Sequence, residues 1–317
     1  MERGWRRHRR YAPPVPEPAA SSATRRSRVA GVVVSASSVQ AGAAFGATVF
    51  PAVGPFGVAA MRQLVSAIAL LAIARPPLRR IGLKRLTPAL LLGVVLVGMN
   101  TALYAAVERI GLGLAVTIEF LGPLAIALAA DGARRAPRRR IAGCGALALA
   151  GVVALTGPFG GRDPDPLGLL LAAGAAALWA AYILLNQRAG ALPGVTGTAV
   201  AGLTGTVLTL PALAVLLARL PAGQLPHVLL IGAVTGVLSS ALPYSLDLVI
   251  LRTLPRSLFG LLQSVHPVAA AVFGLIVLGQ HLAAPQILGV AAVCCANVLA
   301  LIAHRSPGRS GPAPGAE

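Results

Sequence analysis

Gly111-Leu-Gly-Leu-Ala-Val-Thr-Ile-Glu-Phe-Leu-Gly-Pro-Leu-Ala-Ile-Ala-Leu-Ala-Ala130 carries a single charge, Glu119, and the next one along the chain is Asp131. About 20 apolar residues at ~1.5 Å rise cross a hydrocarbon core of roughly 30 Å, so the stretch reads as a membrane-spanning helix. A carboxylate inside such a helix costs roughly 3 kcal/mol on insertion scales. It is retained where it faces a cavity or a partner, which makes Glu119 a candidate functional residue.

Composition extends that reading to the whole chain. The 317 residues are 56% hydrophobic and only 11% charged, which excludes a soluble domain. Ten runs are long enough to span: about 29–50, 57–74, 88–107, 111–130, 141–157, 167–186, 195–217, 227–251, 257–278 and 285–303. The predicted class is an all-α integral membrane protein.

The formal net charge of +18 suggests a nucleic-acid partner until its placement is considered. All but four of the 27 basic residues fall in the two tails or in alternate loops. The exceptions are Arg62, Arg109, Arg162 and Arg219. Alternation of this kind is the positive-inside bias, and it predicts both termini on the cytoplasmic side of a plasma or inner membrane. The basic residues therefore mark topology and the lipid surface, and no nucleic acid is expected. Residues 1–28, basic and Pro/Ala/Ser-rich, and the Pro/Gly-rich residues 304–317 read as disordered tails.

The chain also repeats. At an offset of 144 residues, Ile110 aligns with Leu254, Gly113 with Ser257, Glu119 with Gln263 and Pro123 with Pro267. Residues 29–157 and 167–303 each hold five runs, joined by a turn-rich connector at 158–166. An odd number of spans forces the second half to enter from the opposite face, so inverted five-helix repeats are expected. In that plan substrate sites lie near the midplane, between the halves. Pro123 and Pro267 are expected kink positions. Each lacks the N–H that would bond to the carbonyl four residues back, at Glu119 and Gln263. A freed carbonyl in a membrane is tolerated where it is buried in protein or lines a wet cavity.

Depth selects the candidate site. Arg62 lies about five residues into the second run, roughly 8 Å, and Glu119 about eight residues into the fourth, roughly 12 Å from the same face. A small zwitterion fits between them, carboxylate to Arg62 and ammonium to Glu119; the alternative for Arg62 is a snorkelling residue that ties the bundle together. His266 is expected near the midplane, either as a proton carrier beside Glu119 or as a neutral structural histidine. Asn100, Tyr104 and Gln263 are candidate ligand-binding residues, with Trp179, Tyr182 and Tyr244 behind them. Asp247 reads as an interfacial partner of Arg252, and Glu108 and Arg109 as solvated in an outer turn. Gly143, Gly145, Gly151 and Gly174 suit close helix packing. The five scattered histidines and three cysteines give no metal-ligand or disulfide spacing, and no nucleophile–base pair is present. Neither a cofactor nor an enzyme is expected.

Several segments carry a family resemblance. They are Ser38-Val-Gln-Ala-Gly-Ala-Ala44, Phe50-Pro-Ala-Val-Gly-Pro55, Ala60-Met-Arg62, Ala102-Leu-Tyr-Ala-Ala-Val-Glu-Arg-Ile110 and Thr117-Ile-Glu-Phe-Leu-Gly-Pro-Leu124. Ala181-Tyr-Ile-Leu-Leu185, Pro243-Tyr-Ser-Leu-Asp-Leu248 and Phe259-Gly-Leu-Leu262 continue the series. The chain resembles the EamA-type branch of the drug/metabolite transporter superfamily, and within it the threonine/homoserine exporter group. The resemblance implies ten helices in two inverted repeats and secondary active export of small amino acids or related metabolites. Another metabolite or drug is the alternative cargo, and a passive channel or scaffold the alternative class. The chain departs from the group's pattern at Ala47, where a lysine is expected. It departs again at His266-Pro267 in place of Glu-Pro, and at Gly279-Gln280 in place of Gly-Glu. The oligomeric state leaves no mark in the sequence.

Overall fold

The computed structural model describes residues 22–74, 82–129, 138–156, 165–189, 192, 196–243, 246 and 263–303. Among these, every regular element is a helix. In chain order they are α1 (Ser22–Ala47), α2 (Phe50–Ala74), α3 (Leu83–Ile110), α4 (Leu112–Glu119), α5 (Leu121–Ala129) and α6 (Arg138–Thr156). They continue with α7 (Pro166–Ala189), α8 (Thr196–Ala218) and α9 (Leu225–Gly236), which runs into a π-turn, Val237–Ala241. A 3-10 turn at Gln263–Val265 then leads into α10 (His266–Leu278), and α11 (Ala284–Ala303) follows. Asp247, Tyr244, Arg252, the 259–262 segment, residues 1–21, residues 304–317 and most of the 158–166 connector lie outside the described residues.

Five helical stretches are long and apolar enough to cross a membrane: Ala30–Ala47, Phe50–Ala72, Lys84–Ile110, Pro166–Arg188 and Thr196–Ala218. Five more are apolar but shorter, between 10 and 17 residues. α1 begins at Ser22, ahead of its apolar run, so residues 22–28 of the expected disordered tail are helical.

Three elements differ from a simple rod in ways that matter for the site. The fourth run, expected to kink at Pro123, is interrupted at Phe120 between α4 and α5. Pro123 explains the break, because it has no N–H to offer Glu119 and sits in the first turn of α5. Pro267 likewise occupies the first turn of α10, where a missing N–H is tolerated, and follows a 3-10 turn rather than kinking a helix interior. The π-turn after α9 widens the backbone at Ser239 and Ser240, both buried. Turns of this kind free backbone groups for other partners.

Helices from the two halves interleave. α3 packs on α7 and α8, α6 on α11, α2 on α8 and α9, α1 on α9 and α10, and α4 on α10 and α7. The largest buried cluster joins α1–α4 to α7–α11 and includes Val58, Tyr104, Leu112, Val116, Val228 and Val293. The outer faces are apolar as well: Leu170 and Ile276 are 68% and 71% exposed. Apolar residues on both the inner and the outer surface are what a lipid-facing bundle requires. Of the glycines expected to bring helices together, Gly151 does so against Gly289 and Val293. Gly143, Gly145 and Gly174 face open space, so their small size is not used for a contact within this chain.

Candidate binding cavity

Arg62 turns inward from α2, which places its guanidinium at the meeting point of three elements. Its Nη1 donates to Asn100 Oδ1 at 3.0 Å and to the Tyr104 hydroxyl at 3.5 Å, both on α3. Nη2 donates to the Ser239 carbonyl at 3.2 Å, and Nε to Ser240 Oγ at 3.4 Å. The π-turn thus supplies acceptors that a regular helix would keep for its own ladder. Asn100 uses both ends of its amide, since its Nδ2 donates to the Leu96 carbonyl at 2.8 Å. Tyr104 is fully buried and meets Phe50 edge-on at 5.9 Å.

The π-turn is itself fixed by α1. Ser38 Oγ donates to the Leu238 carbonyl at 2.7 Å, and Ser239 Oγ returns a bond to the Val39 carbonyl at 3.0 Å. The close approach requires glycine at residue 42, where a Cβ would run into Ser239.

Arg62, Asn100 and Glu119 line one cavity of about 110 Å³, together with Gln40, Trp179 and His266. That is room for several waters. Glu119 is 4% exposed, and its carboxylate makes no hydrogen bond among the described residues. The charge of Arg62 acts on both Glu119 and His266, and its guanidinium donates hydrogen bonds to α3 and the π-turn. The proposed snorkelling alternative for Arg62 is replaced by an inward, bundle-tying pose.

His266 is engaged at both ring nitrogens. Nδ1 lies 3.1 Å from Gln40 Nε2, and Nε2 lies 3.2 Å from Gln263 Oε1. With these amide orientations Gln40 donates and Gln263 accepts, which fits a neutral ring carrying its proton on Nε2. Phe120 stacks against the ring at 5.5 Å and meets Trp179 edge-on at 4.6 Å.

Sequence reading brought Glu119, Arg62, Asn100, Tyr104 and His266 to the same region; Gln263 reaches it through His266. It assigned no role to Gln40, Ser239 or Ser240. Their only signal is a polar side chain inside an apolar run. Gln280, one of the departures from the family pattern, accepts a hydrogen bond from the Leu112 N–H at 2.8 Å. Gly111, at φ 83°, turns the chain there, so Gln280 caps the helix that carries Glu119. Outside the bundle, Arg109 is solvent-exposed, as expected, and forms an ion pair with Asp165 at 2.6 Å. The Arg109 hydrogen bond, aided by the Leu167 N–H, holds the Asp165 carboxyl below the usual carboxylate range.

Residues 166–302 match the model of the EamA-like transporter family. The chain is 39% identical over 272 residues to the threonine/homoserine exporter RhtA of Salmonella typhimurium (strain LT2), and 38% identical over the same length to that of Escherichia coli (strain K12). Each alignment covers 84% of this chain and 88% of the relative. A solved protein crystal structure superposes with a TM-score of 0.58 at 20% identity, covering 88% of this chain and 98% of that one. That likeness is one of fold.

Proposed function

The chain belongs to the EamA-like transporter family, and from that premise we propose a secondary carrier that exports small amino acids of the threonine/homoserine type by alternating access. It is a multi-pass membrane exporter and not an enzyme. The observation that carries the substrate class is the shared cavity of Arg62 and Glu119. A fixed guanidinium and a carboxylate on one small, buried cavity match the two charges of a zwitterion. The relatives' names supply the same cargo.

Ten spans in two inverted halves are part of this reading, with both termini cytoplasmic in the plasma membrane. Packing supports it. Exchanging the first five spans for the last five turns the α3–α7 contact into the α9–α1 contact, α1–α10 into α7–α4, and α3–α8 into α9–α2. The α2–α8, α4–α10 and α6–α11 contacts map onto themselves. Gly111–Ala130 and the segment ending at Leu278 also share their local plan, a polar residue four positions before a first-turn proline.

Of Glu119 and His266, Glu119 is assigned the coupling proton, because its carboxylate accepts no hydrogen bond among the described residues whereas both nitrogens of His266 are engaged. Flux of labelled threonine and homoserine into proteoliposomes, with and without an imposed pH gradient, tests the proposal. Saturable flux that responds to the gradient is expected. His266→Gln is expected to keep the shape of the pH profile, because Gln can accept and donate in its place. A profile flattened by that substitution would move the proton-carrying role from Glu119 to His266.

A further inference from the structure

A second cavity of about 130 Å³ lies on the other side of Arg62. It shares Arg62, Asn100 and Trp179 with the first, and adds Gln63, Ser66, Tyr182 and Thr198. Gln63 and Ser66 follow Arg62 by one and four positions on α2, so the arginine and the serine project one above the other on one helix face.

The two cavities differ in chemistry. The first contains Glu119, whereas the second has no acidic side chain among the described residues that line it and offers a held cation with neutral hydrogen-bonding groups. Gln63 and Ser66 are each only 6% exposed. Among the described residues neither side chain has a hydrogen-bond partner. Both line the cavity, where water or a ligand can complete their hydrogen bonding. Arg62, held by its bonds to Asn100 and the π-turn, stands at the boundary of the two spaces and faces both.

We propose that this second cavity is an intake subsite, on the cytoplasmic side of Arg62, for a small amino acid bearing a hydroxyl side chain. The carboxylate meets the guanidinium, and Gln63 and Ser66 receive the hydroxyl. The solute then passes to the first cavity, where Glu119 takes the ammonium group. The inference rests on the carrier reading above and adds a site that selects. A pocket built to hydrogen-bond a hydroxyl rejects the analogue lacking it, because its own polar groups are then left unpaired. Threonine is therefore favoured over valine, which has nearly the same shape.

Trp179 lines both cavities and reports on either. Titration of purified Glu119→Gln protein with threonine, in a Trp5→Phe background, is expected to give a saturable change in Trp179 fluorescence, since the subsite does not use Glu119. Adding Ser66→Ala, alone or with Gln63→Leu, is expected to weaken threonine binding roughly tenfold, the loss of about one hydrogen bond. Valine binding should stay unchanged. Monodisperse elution checks that each variant is folded, and the single Ser66→Ala change keeps the test open if the double variant is not. Binding of threonine to wild type but not to Glu119→Gln would overturn the subsite and leave the carrier reading standing. An unchanged threonine-to-valine preference in folded Ser66→Ala protein would also overturn it. Absence of both threonine binding and threonine flux in folded wild type would remove the amino-acid reading together with the subsite.

Discussion

Glu119→Gln is expected to reduce saturable threonine flux roughly 10- to 100-fold, with the protein still folded. A charge-assisted hydrogen bond is worth about 1.5–3 kcal/mol, and each 1.4 kcal/mol is tenfold in an equilibrium. Glu119 is the only acidic side chain among the described residues lining its cavity, and glutamine is nearly its isostere. The substitution removes the negative charge that meets an ammonium group and the site that carries a proton, while leaving the volume unchanged. Burying the uncharged amide costs less than burying the carboxylate, so thermal stability in detergent should hold or rise. Flux and stability moving in opposite directions would separate a functional carboxylate from a structural one. Wild-type flux in folded Glu119→Gln protein would remove Glu119 from the mechanism.

Arg62→Gln is expected to do the opposite to stability, lowering it by about 3 kcal/mol, because it deprives Asn100 Oδ1, the Ser239 carbonyl and Ser240 Oγ of their donor, and a buried acceptor left unpaired costs about 1–3 kcal/mol. Arg62→Lys keeps the charge but not the planar fork that reaches α3 and the π-turn together, so it should recover only part of the loss. The double variant Glu119→Gln/Arg62→Gln should be more stable than Arg62→Gln alone, since two interacting charges leave together. It should still not transport. Thermal unfolding in detergent and flux on the same preparations check both halves, and wild-type transport by the double variant would end the assignment of this pair.

How much of this was legible in the sequence depended on the distance over which each feature is determined. Helical runs are local, and apolar length located the helices found among the described residues. The break at Phe120 had a local cause in Pro123, although its form, two helices with Phe120 turned between Trp179 and His266, depends on what packs there. The π-turn at Val237–Ala241 had no compositional mark, because an i→i+5 bond uses the same residues as an ordinary helix. Charged and aromatic members of the cavity stood out against apolar neighbours. Gln40, Ser239 and Ser240 did not, since Gln40 is defined by a partner 226 positions away and the serines by partners 177 to 200 away. The glycines show the same limit: Gly151 and Gly143 lie in one helix and look alike in sequence, yet only Gly151 meets a neighbour.

A carrier with one site exposed to each side in turn must exchange its cargo. Proteoliposomes loaded with excess unlabelled threonine and diluted into a trace of labelled threonine measure this directly. The carrier reading predicts a transient accumulation of label above its equilibrium level, abolished by Glu119→Gln. Label that only approaches equilibrium, at a rate indifferent to the internal threonine, would contradict alternating access and indicate a passive pore.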